Sequence, residues 1–226
     1  MFIIRKNSVR THYKKSDMTV KFKLAFSIFL IWLFNISGIF GILSEESEWF
    51  LAMTPLNLFL YLVFITWNLK DFKRSYVHVF VILFLIGFVT EFLGVNYGYI
   101  FGNYAYGSNL GYKIGGVPVM ICVNWVILTI TTADVSSYIH KNIWIRSLVG
   151  AFLMTLLDVV IEVSAPRFDF WEFEGGSVPI QNYTGWYAVS LLAHYVYQKN
   201  KVNTDQRVSI QILIAVSIFF TAFLFF

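Results

Sequence analysis

The sequence predicts an all-α, polytopic integral membrane protein: a bundle of about seven transmembrane helices with its N-terminus in the cytoplasm. Three observations carry this expectation. Hydrophobic residues make up 58% of the 226-residue chain and charged residues only 13%, against roughly 25% in an ordinary soluble domain. The apolar residues gather into runs close to the ~20 residues that a spanning helix needs. The lysines and arginines collect in alternate gaps between those runs. A soluble fold of this length could not cover so much apolar surface, whereas lipid solvates it.

Taken in order, the first run is 24–43, preceded by a basic segment, 1–23. It is too long for the apolar core of a secretory signal and lacks a small-x-small cleavage site, so it reads as a retained helix. The second and third runs, 49–69 and 76–94, are separated by Lys70, Lys73 and Arg74. The fourth and fifth, 117–139 and 145–163, are separated by Lys141, with Arg146 just beyond. Lys199, Lys201 and Arg207 stand between the sixth and seventh, 183–198 and 207–226. With the N-terminus inside, only Lys113 and Arg167 of the 17 basic residues fall outside, a strong positive-inside asymmetry. The chain therefore reads as one transmembrane domain, 1–226, multi-pass in the cytoplasmic membrane. Its net charge of +4 records orientation in lipid, and no nucleic-acid partner is expected. The single cysteine, Cys122, lies in an apolar run with no disulfide partner. Glu45, Glu46 and Glu48 face outward, as do the two longest loops, 95–116 and 164–182.

Those loops and the helix ends feeding them hold most of the chemistry. Glu91 is flanked by Gly87 and Gly94 at spacings that put all three on one helix face, where small residues admit a close neighbour. Asp158 and Glu162 lie four apart and share a face with Ala151 and Thr155. All three acids fall in the outer half of the bilayer, where burying a carboxylate is costly and intramembrane acids mark function. The competing reading is that Glu91 and Glu162 sit near enough to the interface to be merely solvated. Around them runs a dense set of aromatics, from Tyr97, Tyr99, Phe101, Tyr104 and Tyr106 to Phe168, Phe170, Trp171, Phe173, Tyr183 and Trp186. An interfacial belt accounts for many of these without a ligand. Seven glycines between 94 and 116 require a backbone that turns tightly or lies against something flat.

These residues resemble a family. The stretch Glu91-Phe-Leu-Gly-Val-Asn-Tyr-Gly-Tyr-Ile-Phe-Gly-Asn-Tyr-Ala-Tyr-Gly, then Leu110-Gly, then Val117-Pro with Trp125, is similar to the membrane carotenoid-biosynthesis family of carotenoid 1,2-hydratase type, which includes the bisanhydrobacterioruberin hydratases. A second block runs from Asp158 and Glu162 through Pro166 and Asp169-Phe-Trp-Glu to Val178-Pro-Ile-Gln-Asn-Tyr-Thr-Gly-Trp186. It departs from the family pattern where Glu162 is followed by Val163-Ser164-Ala165 before the proline. The resemblance covers the third helix to the sixth.

It implies addition of water across the terminal isopropylidene double bond of an acyclic carotenoid, with no redox cofactor and with pathway enzymes as neighbours. The residue types suit that reaction. Hydrating an unactivated alkene needs a protonated acid, a sheltered tertiary cation and one positioned water. A carboxylic acid in apolar surroundings keeps its proton near neutrality, and a second carboxylate can take a proton from the attacking water. Aromatic faces stabilise a desolvated cation by about 2 kcal/mol or more. Glu91 is the expected proton donor, with Asp158 and Glu162 as water activator and cation stabiliser. Asn96 and Asn182 are the expected water-holding groups. Tyr97, Tyr104, Trp125, Trp171 and Trp186 are expected at the substrate, though packing or interfacial anchoring explains the tryptophans equally well.

Two other functions use the same features. A carotenoid cyclase begins with the same alkene protonation but quenches the cation with an internal double bond. A carotenoid or lipid carrier would have no use for three buried acids. His78, His140 and His194 lie near cytoplasmic helix ends without metal-ligand spacing, and Asp134 is expected to reach the headgroups. No metal and no other cofactor is expected, since the sequence has no phosphate-binding glycine loop and no clustered cysteines. A retinal protein is excluded, because its Schiff base needs a lysine inside a late helix and no apolar run carries one in its interior.

Overall fold

The computed structural model describes residues 3–226, with residues 3–17 as backbone only. Arg5, Lys6, Arg10, Lys14 and Lys15, from the basic segment, lie outside the described side chains. The protein is all-α, with eight helices among the described residues: α1 (Ile3–Ile42), α2 (Ser47–Ala52), α3 (Thr54–Trp67), α4 (Arg74–Tyr97), α5 (Val119–Ser136), α6 (Ile143–Glu162), α7 (Ile180–Asn200) and α8 (Gln206–Ala222). Four of them are long and apolar enough to cross a membrane: α1 over Met18–Ile42, α4, α5 and α6. α3 and α8 are shorter apolar helices. α7 has the length, but Gln181, Asn182, Ser190, His194 and Gln198 make it more polar.

The helix expected over 49–69 is broken. α2 ends at Ala52, Met53 joins the two pieces, and α3 begins with Pro55 in its first turn. Proline has no N–H to donate and its ring collides with the preceding turn, so a continuous helix cannot run through it. The first helix does not begin at 24: α1 runs back through the basic segment to Ile3, because that segment has no proline or glycine to interrupt it. The other five expected helices appear with ends moved by a few residues.

α5 is the central element, buried over most of its length and packed by α3, α4, α6, α7 and α8. Its apolar residues are spread around the whole circumference, as in a helix surrounded by others. Its fully buried Thr131 and Thr132 hydroxyls both donate to the Leu128 carbonyl, at 3.1 and 2.6 Å, so neither is left without an acceptor. The outer helices present large apolar side chains outward, among them Phe29, Phe40, Leu85, Val89, Phe152, Leu156 and Leu192. An apolar exterior of this kind is matched to lipid.

The two segments expected as plain loops carry three short strands, β1 (Tyr104–Tyr106), β2 (Lys113–Ile114) and β4 (Trp171–Phe173), and a fourth, β3 (Val117–Pro118), takes the first two residues of the run expected as the fourth helix. β1 pairs antiparallel with β4, matching Tyr104 to Phe173, Ala105 to Glu172 and Tyr106 to Trp171. β2 pairs with β3. The loops are joined further by Gly107 N–H to Phe170 O at 2.9 Å and Asn109 Nδ2 to Phe168 O at 2.9 Å. Five of the seven glycines in this region have positive φ, as tight reversals require.

Candidate functional site

The paired loops close one end of the bundle, and the candidate carboxylates lie beneath them. Glu91 comes from the last two turns of α4, while Asp158 and Glu162 occupy the last turns of α6. Their exposures are 2%, 0% and 5%. Such groups are retained only where hydrogen bonds replace water, and each has such partners.

Glu91 is held by three donors. The Tyr104 and Tyr106 hydroxyls both donate to Oε2, the second at 2.7 Å, and Trp125 Nε1 donates to Oε1 at 2.9 Å. Gly87 and Gly94 allow this approach: a Cβ on Gly87 would stand 2.7 Å from the Trp125 ring, and one on Gly94 would stand 2.6 Å from the Tyr104 hydroxyl. Glu162 Oε2 accepts from Trp171 Nε1 at 2.9 Å. Asn182, buried in the first turn of α7, donates through one amide nitrogen to Glu162 Oε1 at 2.8 Å and to Asp158 Oδ2 at 3.2 Å. Asp158 Oδ1 is buried with no hydrogen-bond partner.

Glu91 and Glu162 face one small cavity, walled by Phe101, Tyr104, Tyr106, Trp171, Phe173, Asn182 and Trp186. Its unfilled space is about 200 Å³, with free room for about one water. Trp125 and Trp186 stack at 4.5 Å and 18° beside it, and Phe101 packs on both. Trp171 also borders a larger, mainly apolar cavity of about 640 Å³ lined by Leu58, Leu110, Ile161, Phe219 and Phe220 among others. That cavity shares Thr54, Asn57 and Phe219 with a third, of about 880 Å³, bounded by α1, α2, α3 and α8.

Of the residues expected at the site, the fold brings together Glu91, Asp158, Glu162, Tyr104, Trp125, Trp171, Asn182 and Trp186. Asn96 and Tyr97 are not among them. Asn96 is exposed, and its amide donates to the Phe92 and Gly115 carbonyls, both at 2.9 Å. Tyr97 is 60% exposed and stacks on Tyr99. Five residues beyond Glu91 is about 140° around the helix and six is about 240°, so neither shares its face. Tyr106, Phe101 and Phe173 were missing from the expected set. The signal for Tyr106 was its two-residue spacing from Tyr104, which puts both side chains on one side of a strand.

Asp169 serves the site from outside. It sits at φ 51°, a left-handed conformation that Asp and Asn tolerate. Its carboxylate accepts from the Ser108 hydroxyl at 2.5 Å and the Ser108 N–H at 2.7 Å. Those bonds hold its carboxyl below the usual range and tie the two loops together.

The three histidines do not meet. His78 and His140 are exposed. His194 is buried between Thr132 Oγ1 and the Ser190 carbonyl, at 2.8 and 2.7 Å. Asp134 does not reach toward headgroups. It is buried and accepts from Thr204 and Ser209 at 2.6 Å and from Tyr197 at 3.3 Å, because the loop after α7 folds back over it.

Neither a curated protein nor a solved structure matches the chain. A family model described as carotenoid biosynthesis protein matches residues 51–226, which include every carboxylate and aromatic of the site. The chain belongs to the carotenoid biosynthesis protein family.

Proposed function

We propose that this protein adds water across the terminal isopropylidene double bond of an acyclic carotenoid. One observation carries the reading: Glu91 and Glu162 face the same small, aromatic-walled cavity, which has room for about one water. The adjoining apolar cavities suit the rest of a long polyene. The chain acts as a single transmembrane domain in the cytoplasmic membrane, with its N-terminus inside. Its seven spans are α1, α2 with α3, and α4 to α8. The bilayer supplies the substrate, and neighbouring enzymes of the pathway are its partners. No cofactor takes part.

This reading, supported by the hydrogen bonds, distributes the roles differently from the sequence expectation. Glu91 accepts from three donors, and in this reading it takes the carboxylate role. Asp158 and Glu162 share one amide donor, and in this reading the pair holds one proton between them. Glu162, on the cavity side, delivers that proton to the terminal CH carbon. A C–H bond forms as the π bond breaks, leaving a tertiary cation against the faces of Trp186 and Phe101 and the Glu91 carboxylate. The trapped water attacks the cation to form the C–O bond, and its spare proton passes to Glu91. Return of that proton across the cavity to Glu162 resets the site, so the net change is one water added.

The test is pigment analysis in a lycopene-producing host. The native protein should yield pigment heavier by one water per modified end. Glu91→Gln, Asp158→Asn and Glu162→Gln should each lose nearly all turnover at normal expression. The double variant Glu91→Gln with Asp158→Asn should be hardly worse than its poorer parent, since groups acting as a unit are non-additive. A cyclised pigment of unchanged mass would assign the chain to the cyclases. Near-normal product from all three single variants would remove acid catalysis from this site.

A further inference from the structure

About 24 Å along α6 from Glu162, judging by sixteen residues of helical rise, Arg146 opens onto a second polar cavity. Lys70 follows α3, Lys73 precedes α4, and Lys201 ends α7, and all four cations line this one space of about 790 Å³. Three carboxylates offset them only in part: Asp205, ion-paired with Arg207 at 2.6 Å, also lies within the field of Lys70. Asp71 pairs with Lys73 at 3.1 Å. Asp134 borders the cavity, but its oxygens are occupied by Thr204, Ser209 and Tyr197. Lys70, Arg146 and Lys201 have no ion pair among the described residues.

Three details go beyond the basic surface that a positive-inside topology explains. Arg146 Nε is hidden from solvent with no hydrogen-bond partner, a donor left at a cost unless an acceptor arrives. Gln198 Oε1, also on the cavity, is buried and unpaired, and a ligand hydroxyl would satisfy it. Lys201 stands at φ 48°, where glycine is the unstrained choice for a helix end. A long cation at a strained position is explained by what its side chain does.

We propose that this cavity binds a phosphate group, either the headgroup of an anionic phospholipid or a free phosphate. A tetrahedral polyanion offers enough acceptors to engage a guanidinium and several ammonium groups at once. Bound there, it bridges the α3–α4 and α7–α8 junctions and the start of α6, and so stabilises the fold from the end opposite the carboxylates.

The experiment uses the full chain in phosphatidylcholine nanodiscs, following thermal unfolding and ligand retention by native mass spectrometry. One arm adds phosphatidylglycerol to the discs; the other adds inorganic phosphate or pyrophosphate. At a hundredfold excess over Kd the unfolding temperature should rise by roughly 5–10 °C. The double variant Lys70→Gln with Lys201→Gln, at two exposed side chains, should lose most of that rise. Removing two charges elsewhere, by Lys23→Gln with Lys141→Gln, should leave it intact. A rise with phosphatidylglycerol alone identifies a lipid headgroup, and a rise with inorganic phosphate identifies a soluble source; each supports the site. No rise in either arm overturns the proposal. So does an equal loss in both double variants, which would reduce it to general surface charge.

Discussion

Replacing Gly87 by alanine adds one methyl group four residues before Glu91 and should disable the site. The new Cβ would lie 2.7 Å from Trp125 Cγ, 2.8 Å from Cδ1 and 2.9 Å from Cβ. Reaching the 3.4 Å of ordinary contact requires the indole to retreat by 0.7 Å. Trp125 has nowhere to go, being 1% exposed and stacked on Trp186 at 4.5 Å. A retreat of that size along the Nε1–Oε1 line would stretch the 2.9 Å bond to Glu91 beyond hydrogen-bonding range. Overpacking of this kind costs about 1–3 kcal/mol, and the hydrogen bond to a charged group about 1.5–3 kcal/mol. Against this, alanine is favoured over glycine in a helix by about 1 kcal/mol. The net expectation is a loss of about 1.5–5 kcal/mol in stability and a large fall in turnover. Thermal unfolding in detergent, run beside pigment analysis in the lycopene-producing host, measures both. Val89→Ala, on the lipid-facing side of the same helix, is the control and should change neither by much. A Gly87→Ala protein as stable and active as the native one would refute the claim that Trp125 is locked against Glu91.

Asp169→Asn should keep the left-handed turn while removing the charge. Because the native carboxyl is held low, its contribution is complete above the usual carboxylate range, around pH 4, and is lost as pH falls through the lower folded value. Protease nicking of the paired loops should therefore rise in acid for the native protein, whereas the variant should show no such dependence. Trp171→Phe removes the donor to Glu162 and should lower turnover at least tenfold with little change in expression; unchanged turnover would release Trp171 from the site. Reporter fusions after Lys201 and after Phe226 should give opposite signals, and equal signals would mean that the span count is wrong. Activity should persist in chelator without added nucleotide; loss that is restored by metal would return attention to the histidines.

The sequence made the helices legible because a bilayer imposes a length and a polarity on them, and five of the seven runs needed only small adjustment. Of the two exceptions, 49–69 carried its own warning in Pro55, while the helix of 24–43 extends back to Ile3 through basic residues that mark the end of an apolar run but not the end of a helix. The pairing of Asp158 with Glu162 was legible too, since a four-residue step keeps them on one face of α6. Their bridge through Asn182 was not, because it depends on how α7 packs against α6, and no local pattern encodes that. β1 and β4 were hidden for a related reason. Three residues are too few for a periodic signal, and their partners lie some sixty-five positions away. Asn96 and Tyr97 misled through closeness in sequence: being near Glu91 along the chain meant pointing elsewhere around the helix.

The β1–β4 pairing also limits how this protein can change over evolutionary time. Its register turns Tyr104 and Tyr106 toward Glu91 while Ala105 and Glu172 face out. A slip of one residue would reverse every side chain of the strand, withdrawing two of the three donors to Glu91 in a single event. A slip of two would restore the inward pattern with different neighbours. Insertions and deletions within β1 or β4 are therefore filtered by parity, while the flanking loops can absorb them. Substitutions at Ala105 and Glu172 escape that filter, leaving the outer face of the lid free to diverge while its inner face is held.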